Sequence, residues 1–148
     1  MSSDAAVGLI RTGWDDGRIR AYYPESGRPF YMMDNAYGGS VTALETLSDC
    51  RHVISGSNLG HVVIWEVPPP GAESKSGPLH VTRHFLLKEH KAAVTCIKAR
   101  RSDSECVTSS NDGSCIIWDL QWVCATLQFA HVYIYSERFL AQLAEVFV

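Results

Sequence analysis

The sequence has no long apolar run, no close pair of cysteines and little net charge. No run reaches the roughly 18 apolar residues that span a bilayer, so a membrane-spanning helix is not expected. The net charge is −3 at pH 7, so no overall field would attract nucleic acid or an anionic membrane. Residues 1–7 contain neither a basic stretch nor a long apolar one, and a secretory signal is not expected.

The five cysteines are an odd number and lie far apart. Structural metal sites need ligands at short spacings such as Cys-x-x-Cys, and this sequence has no such spacing. We interpret the thiols as reduced, mostly buried, small apolar residues of an intracellular protein, and we expect no metal site and no cofactor. The cysteines are Cys50, Cys96, Cys106, Cys115 and Cys124.

The composition is that of an ordinary globular protein, with 46% apolar and 20% charged residues. A chain of 148 residues is long enough for one domain with a real core. The short basic cluster from Lys98 to Arg101 is interpreted as a solvated loop face.

A short pattern occurs three times, each time around a turn glycine. An aromatic residue follows the glycine by five positions, a polar turn residue precedes it by two, and a hydroxyl residue precedes it by five. The three sets are Thr12, Asp15, Gly17 and Tyr22; Ser55, Asn58, Gly60 and Trp65; and Thr108, Asn111, Gly113 and Trp118. The first two glycines are 43 residues apart, which matches the period of about 40–45 of a propeller repeat.

The third unit, Val94 to Asp119, is the clearest. Asn111-Asp112-Gly113 lies between two β-branched runs and predicts a hairpin that joins residues 105–109 to 115–120. His90 precedes the unit and Trp118-Asp119 closes it, which is typical of a propeller repeat. The glycines of the second and third units are 53 residues apart, and the breaker-rich stretch Pro68 to Pro78 accounts for the excess as an inserted loop.

The predicted fold class is all-β, with antiparallel four-stranded propeller blades in an incomplete or open propeller. The repeat region covers residues 1–120 and about two and a half blades, with boundaries near 34–40 and 87–93. The first blade begins in mid-repeat, without its inner strand. Residues 80–87 are predicted as one strand. The divergent tail, 121–148, is predicted to form an outer strand and a short helix.

The repeat residues predict buried hydrogen-bond networks, because an indole or imidazole buried without a partner costs about 1–3 kcal/mol. In the third unit the network would join a histidine, a hydroxyl, a turn amide in place of an aspartate, and a tryptophan. In the second unit a tyrosine takes the histidine position. The predicted members are His90, Thr108, Asn111 and Trp118, and Tyr37, Ser55, Asn58 and Trp65, with Gly17, Gly60 and Gly113 as turn glycines.

The enzymatic alternatives fail on their stated requirements. His80 and His84 have the spacing of a helical metal pair, but on a strand they would lie about 13 Å apart. Ser57 is one position away from the serine of a Gly-x-Ser-x-Gly elbow. No phosphate loop occurs, and we expect no catalytic residue. The tyrosines of the first unit suit either the inter-blade core or an interface; they are Tyr22, Tyr23, Tyr31 and Tyr37.

The amino-acid sequences of several segments also resemble those of a family of WD-repeat proteins of motile cilia and flagella, over about residues 10–120. The segments are Gly13-Trp-Asp-Asp-Gly-Arg-Ile-Arg-Ala21, Pro24-Glu-Ser-Gly-Arg28, Val41-Thr-Ala43, Ser48-Asp-Cys50, Val53-Ile-Ser-Gly56, Lys88-Glu-His-Lys91, Glu105-Cys-Val-Thr108 and Cys115-Ile-Ile-Trp-Asp-Leu120. In that family the full chain forms two propellers and lines the inside of axonemal doublet microtubules. The resemblance ends after Leu120.

The resemblance implies a non-catalytic structural protein of the ciliary axoneme, with tubulin and other doublet proteins as partners. The alternative is a generic WD-repeat adaptor that scaffolds a signalling or ubiquitin-ligase complex. Binding would use the loops around Arg18 to Arg28 and Pro68 to Pro78, since propellers bind through loops on a rigid scaffold. Open blade edges also allow self-association.

Overall fold

The computed structural model describes residues 8–34, 37–69, 72, 75–82 and 84–120, and the backbone of residues 132–136. In this part of the chain, twelve β-strands form three separate four-stranded sheets, which confirms the predicted all-β class. In chain order the strands are β1 Ile10–Gly13, β2 Arg18–Tyr22, β3 Pro29–Asp34, β4 Val41–Thr46, β5 His52–Ser57, β6 Val62–Glu66, β7 Leu79–Val81, β8 His84–Leu87, β9 Val94–Ala99, β10 Glu105–Ser110, β11 Ser114–Asp119 and β12 Val132–Ser136.

Blade 2 and blade 3 are four-stranded antiparallel sheets with the same strand order. Blade 2 has the order β4-β5-β6-β8, and blade 3 has the order β9-β10-β11-β12. The predicted hairpin of the third unit is confirmed, with Thr108 opposite Ile116. The predicted C-terminal helix falls on residues outside the described part of the chain.

Blade 1 is built differently. Strands β1, β2 and β3 are antiparallel, and β7 joins them as a parallel fourth strand, with Tyr31 opposite Leu79 and Met33 opposite Val81. The predicted single strand over residues 80–87 is therefore wrong. The inserted loop carries the chain to the outer edge of blade 1, where β7 pairs, before β8 returns to β6 of blade 2.

Two apolar clusters hold the three blades together. Successive side chains of a strand point to opposite faces, so β5 and β6 pack against both neighbouring blades and are buried on both sides. The first cluster joins blades 1 and 2; it contains Ile19, Ala21, Phe30, Tyr31, Met33, Val53, Val63, Trp65, Val67 and Val81. The second joins blades 2 and 3; it contains Leu47, Ile54, Val62, Ile64, Val94, Ile97, Cys106, Ile116, Trp118 and Leu120.

Two glycines mark where the inner strand of the next blade approaches. A Cβ on Gly56 would lie 2.7 Å from the Cβ of Val94 in β9, and a Cβ on Gly13 would lie 2.8 Å from the Cβ of Val41 in β4. Both glycines stand four positions before a turn glycine. Side chains at these positions would force neighbouring backbones apart, so glycine sets the distance between adjacent blades.

A hydrogen-bonded clamp also joins blades 2 and 3 at the turns that follow their inner strands. The carboxylate of Asp103 accepts hydrogen bonds from the backbone N–H of Ser48 at 2.9 Å and of Asp49 at 3.0 Å, and from the Ser48 hydroxyl. The clamp fixes the two turns relative to each other beside the apolar cluster.

Candidate functional site

Blade 3 contains a continuous chain of buried hydrogen bonds. The Trp118 indole donates to the Thr108 hydroxyl at 2.9 Å, and His90 Nε2 lies 2.7 Å from the same oxygen. On its other side, His90 Nδ1 lies 3.0 Å from the Ser114 hydroxyl and 3.4 Å from the Asp112 carboxylate. The chain thus connects strand β11, strand β10 and the connection before β9.

The hydrogen-bond partners of His90 determine its tautomer. Burial lowers the pKa of His90, although Asp112 opposes this effect, so the imidazole is neutral near pH 7. With its proton on Nδ1, His90 donates toward Ser114 and Asp112, while Nε2 accepts from the Thr108 hydroxyl. The indole, the hydroxyl and the imidazole are then all satisfied, and the chain ends on a carboxylate.

The structure differs from the prediction at the turn residue. Asn111 is exposed, and its backbone N–H bonds to Ala93 O at 2.9 Å, whereas Asp112 faces His90. Asp112 also accepts hydrogen bonds from the backbone N–H groups of Lys91 and Ser114, each at 2.8 Å. Desolvation opposes ionisation of Asp112, but these bonds outweigh it and hold the pKa of the carboxyl well below its usual range.

Blade 2 retains only part of this chain. The Trp65 indole donates to the Ser55 hydroxyl at 2.9 Å, as Trp118 does to Thr108. Tyr37, at the position of His90, directs its hydroxyl to His84 Nε2 at 2.8 Å. Asn58 lies away from the tryptophan, and its amide oxygen accepts from the backbone N–H of Ser40 at 2.9 Å.

Aromatic contacts replace the missing acid in blade 2. The His84 ring lies 4.8 Å from the Trp65 ring and 5.5 Å from the Tyr37 ring, and the Tyr37 ring also contacts the His61 ring at 5.9 Å. His61 Nδ1 is buried and has no hydrogen-bond partner among the described residues. Burial and the charge of Lys88 lower the pKa of His61 and favour its neutral form.

The three turn glycines occupy equivalent tight turns. Gly17, Gly60 and Gly113 have φ values of 79°, 86° and 82°, in the left-handed region where a side chain is strained. Their backbone N–H groups donate to the residue three positions earlier at 3.1, 3.2 and 3.1 Å, respectively. These turns fix the pairing of β1 with β2, of β5 with β6 and of β10 with β11.

Ser57 and His84, which were considered for catalysis and metal binding, make hydrogen bonds within the fold. The Ser57 hydroxyl accepts from the backbone N–H groups of Leu59 and His61, each at 3.2 Å, inside a turn. His84 is engaged by Tyr37 and by Thr82 O, while His80 is exposed. Among the described residues, no three His, Cys, Asp or Glu side chains are grouped as a metal site requires.

The thiols are only in part as expected. None of the four described cysteines forms a disulfide; Cys106 and Cys115 are buried, whereas Cys96 is exposed and Cys50 is half-buried. Burial raises the pKa of the Cys106 thiol far above its usual value, which keeps it protonated and unreactive. Within this same part of the chain, no helix has the length and apolar character of a membrane span.

Sequence reasoning missed three features of these networks. The place of Asp112 in the network could not be predicted, because it stands beside Asn111 in the turn and the alternation of strand faces does not extend into a turn. The place of His84 in the blade 2 network could not be predicted either, because His84 comes from the outer strand, which follows the insertion. The close-approach glycines, Gly13 and Gly56, had a usable signal, since both stand four positions before a turn glycine.

Comparison with known proteins identifies the repeat and its relatives. The model of the WD domain, G-beta repeat, matches residues 81–119. Cilia- and flagella-associated protein 52 of Bos taurus is 44% identical over 138 residues, which cover 88% of this chain and 20% of the relative. Its counterpart in Chlamydomonas reinhardtii is 38% identical over 111 residues, which cover 75% of this chain and 17% of the relative.

A solved structure supports the fold alone. A chain in the crystal structure of the Chaetomium thermophilum polycomb repressive complex 2 superposes with a TM-score of 0.65 at 17% identity, covering 75% of this chain and 24% of that chain. This chain spans only about a fifth of its curated relatives, as the coverage of 20% shows. The chain therefore contains a WD repeat at residues 81–119 among three propeller-like four-stranded sheets, and it is similar to cilia- and flagella-associated protein 52 of Bos taurus and of Chlamydomonas reinhardtii.

Proposed function

We propose that this chain is a non-catalytic structural component of motile cilia and flagella, a microtubule inner protein of the axonemal doublets. The names of its relatives support the ciliary location. The observation that supports the non-catalytic role is that the buried polar groups of the blade 3 network bond to each other, as in His90, Thr108 and Trp118. Such a network rigidifies a scaffold, and its imidazole and hydroxyl are engaged within the protein instead of being presented to a substrate.

The proposed partners are tubulin and other doublet proteins. Contact would use the segment Arg18 to Arg28, which contains β2 and the turn after it, and the inserted segment Pro68 to Pro78. In the turn after β2, the exposed Arg28 lies over the half-buried Tyr23 ring at 5.6 Å. Self-association is a further proposal, because β1 is the terminal strand of its sheet and its inner edge is unpaired among the described residues.

The test is retention in the axoneme. A tagged chain is expressed in multiciliated cells, and doublet microtubules are extracted with detergent and then with high salt. Salt screens exposed charge contacts, whereas a component enclosed in the lumen is retained. Retention alongside a full-length relative is the expected result.

Release of the chain while the full-length relative stays bound would contradict the proposal. Recovery of the released chain in a soluble complex with a kinase or a ubiquitin ligase would instead favour the adaptor function. A Trp118→Ala variant serves as the control, since a misfolded third blade should abolish retention whatever the partner is.

A further inference from the structure

An open cavity of about 310 Å³ lies where β7 of blade 1 meets the end of β6 in blade 2. We propose that this cavity binds an acidic peptide segment of a partner protein, with a carboxylate on Arg51 and an apolar side chain against the opposite wall. The inference rests on the proposed function and names the chemistry of its contact. The lining residues that the argument uses are Arg51, Val67, Pro68, Pro69, Leu79 and His80.

The cavity is preformed because each wall is tied to a strand. The backbone N–H of Val67 donates to Arg51 O at 2.8 Å, which holds the end of β6 against the start of β5. The opposite wall is β7, which pairs with β3 through Leu79 and Val81. A preformed site loses little conformational freedom when it binds a ligand.

The return from the insertion is fixed as well. His84 Nδ1 lies 2.6 Å from Thr82 O, and the same ring contacts Trp65 and Tyr37. The aromatic network of blade 2 thus anchors Thr82, which lines the cavity. No equivalent of β7 joins blade 3 in the described part of the chain, so this cavity is specific to the junction of blades 1 and 2.

Arg51 supplies the charge. Its side chain is exposed and makes no hydrogen bond or ion pair with the described residues. The nearest carboxylate in sequence, Asp49, is occupied by His52 Nδ1 at 2.6 Å and by two backbone N–H groups. Glu66 lines the cavity too, but it already has an interaction within the chain. The guanidinium is therefore available to a carboxylate from outside.

The rest of the lining is mainly apolar and stiff. Val67 is buried, Leu79 is half-buried, and two consecutive prolines form the rim. Proline has few conformations to lose, so such a wall can accept an aliphatic side chain at little entropic cost. One cation beside an apolar wall matches a peptide with an acidic residue next to an apolar one, and a single arginine is too little charge to hold a nucleic-acid backbone.

The test uses fluorescence anisotropy with the full chain and two labelled synthetic peptides. One is Gly-Glu-Glu-Leu-Glu-Glu-Gly, and the other replaces each glutamate by glutamine. The acidic peptide is expected to bind at least about ten-fold more tightly than the neutral one, and its affinity should fall as salt rises. Equal affinity for the two peptides, or no binding of either, would overturn the proposal.

Variants locate the site. Arg51→Ala should lower the affinity for the acidic peptide about ten-fold, which corresponds to loss of one charge-assisted contact. Arg101→Ala is the matched control: an exposed arginine in the neighbouring turn, outside the cavity, whose removal should change affinity less than about two-fold. Arg51→Glu should transfer preference to a lysine peptide of the same length. An unchanged affinity in Arg51→Ala would rule out this site.

Pro69→Glu tests the apolar wall without disturbing the core, since Pro69 is exposed. The added carboxylate should also lower the affinity for the acidic peptide, by repulsion.

Preferential binding of a labelled oligonucleotide or of inorganic phosphate would contradict a peptide ligand. If the peptide binds through Arg51 but the chain is washed from doublet microtubules, the site stands and the axonemal function fails. If the parent chain is retained on doublet microtubules but binds neither peptide, the axonemal function stands and the site fails.

Discussion

Blades 2 and 3 bury an equivalent tryptophan in different ways. In blade 3, Trp118 and His90 share the Thr108 hydroxyl, and the chain of bonds ends on the Asp112 carboxylate. In blade 2, Trp65 bonds to Ser55 and is covered by the ring of His84. The first network is local, because all of its members come from residues 90–118. The second takes its covering ring from the strand that follows the insertion.

The difference shows what the repeat requires. Both blades keep an indole bonded to a hydroxyl across neighbouring strands, since an unsatisfied indole N–H in the core is costly. The neighbours of the indole differ between the two blades: a hydrogen-bonded histidine in blade 3 and an aromatic contact with His84 in blade 2. In blade 2 the change couples the core to the inserted loop, and thus to the cavity beside Arg51.

Removal of the shared tryptophans should have the largest effect. Trp118→Ala and Trp65→Ala should each lower the free energy of unfolding by about 3–5 kcal/mol, because each ring is 1% exposed and leaves a cavity between two blades. Denaturant unfolding followed by circular dichroism measures both. A loss below about 1 kcal/mol at either position would show that the blade is not packed as described.

The acid should matter in blade 3 only. Asp112→Ala should cost about 1.5–3 kcal/mol, since it leaves the N–H groups of Lys91 and Ser114 and the His90 imidazole without their acceptor. Leu59, its counterpart in blade 2, is 51% exposed, and Leu59→Ala should change stability by less than about 0.5 kcal/mol. Equal losses at the two positions in the same unfolding assay would remove the distinction between the blades.

Glycine before the turn should be required only where another blade approaches. Gly56→Ala should destabilise by about 1–3 kcal/mol, because its Cβ would meet Val94. The blade 3 counterpart is Ser109, whose hydroxyl bonds to Thr95 at 2.8 Å, and Ser109→Ala should cost less than about 0.5 kcal/mol. Thermal unfolding of the Gly56→Ala and Ser109→Ala variants tests this difference. If Gly56→Ala is as stable as the parent chain, β9 can move away from β5.

The pH dependence should be the smallest effect and should involve both blades. Burial lowers the folded-state pKa values of His90 and His61 from their ordinary value of 6.5, so protonation favours the unfolded chain. Stability should be complete above about pH 6.5 and decline as the pH falls below it. The lowered pKa of Asp112 adds a second loss below its ordinary value of 3.8.

Unfolding at several pH values between about 5 and 7.5 tests this expectation. His90→Gln and His61→Gln should each flatten the decline relative to the parent chain. A parent chain whose stability rises on acidification would show that the histidines are charged in the fold, contrary to their neutral placement here.

Local order was readable from the amino-acid sequence. The turn glycines, the hairpin around Gly113 and the positions of Trp65 and Trp118 follow from residue types at short spacings, because a tight turn and the two-residue period of a strand depend on neighbours in the chain. These features are enough to predict an all-β propeller repeat and an incomplete set of blades.

The tertiary structure decided which neighbours meet across the blades. The insertion could be recognised as a loop, but its pairing with β3 depends on a free sheet edge that lies some fifty residues earlier, as the pairing of Tyr31 with Leu79 shows. The choice of Asp112 over Asn111 depends on which side of the turn faces His90, and the role of His84 depends on where β8 returns. Sequence spacing carries none of this information, because contacts between distant segments are set by which edges and faces remain uncovered once the local strands have formed.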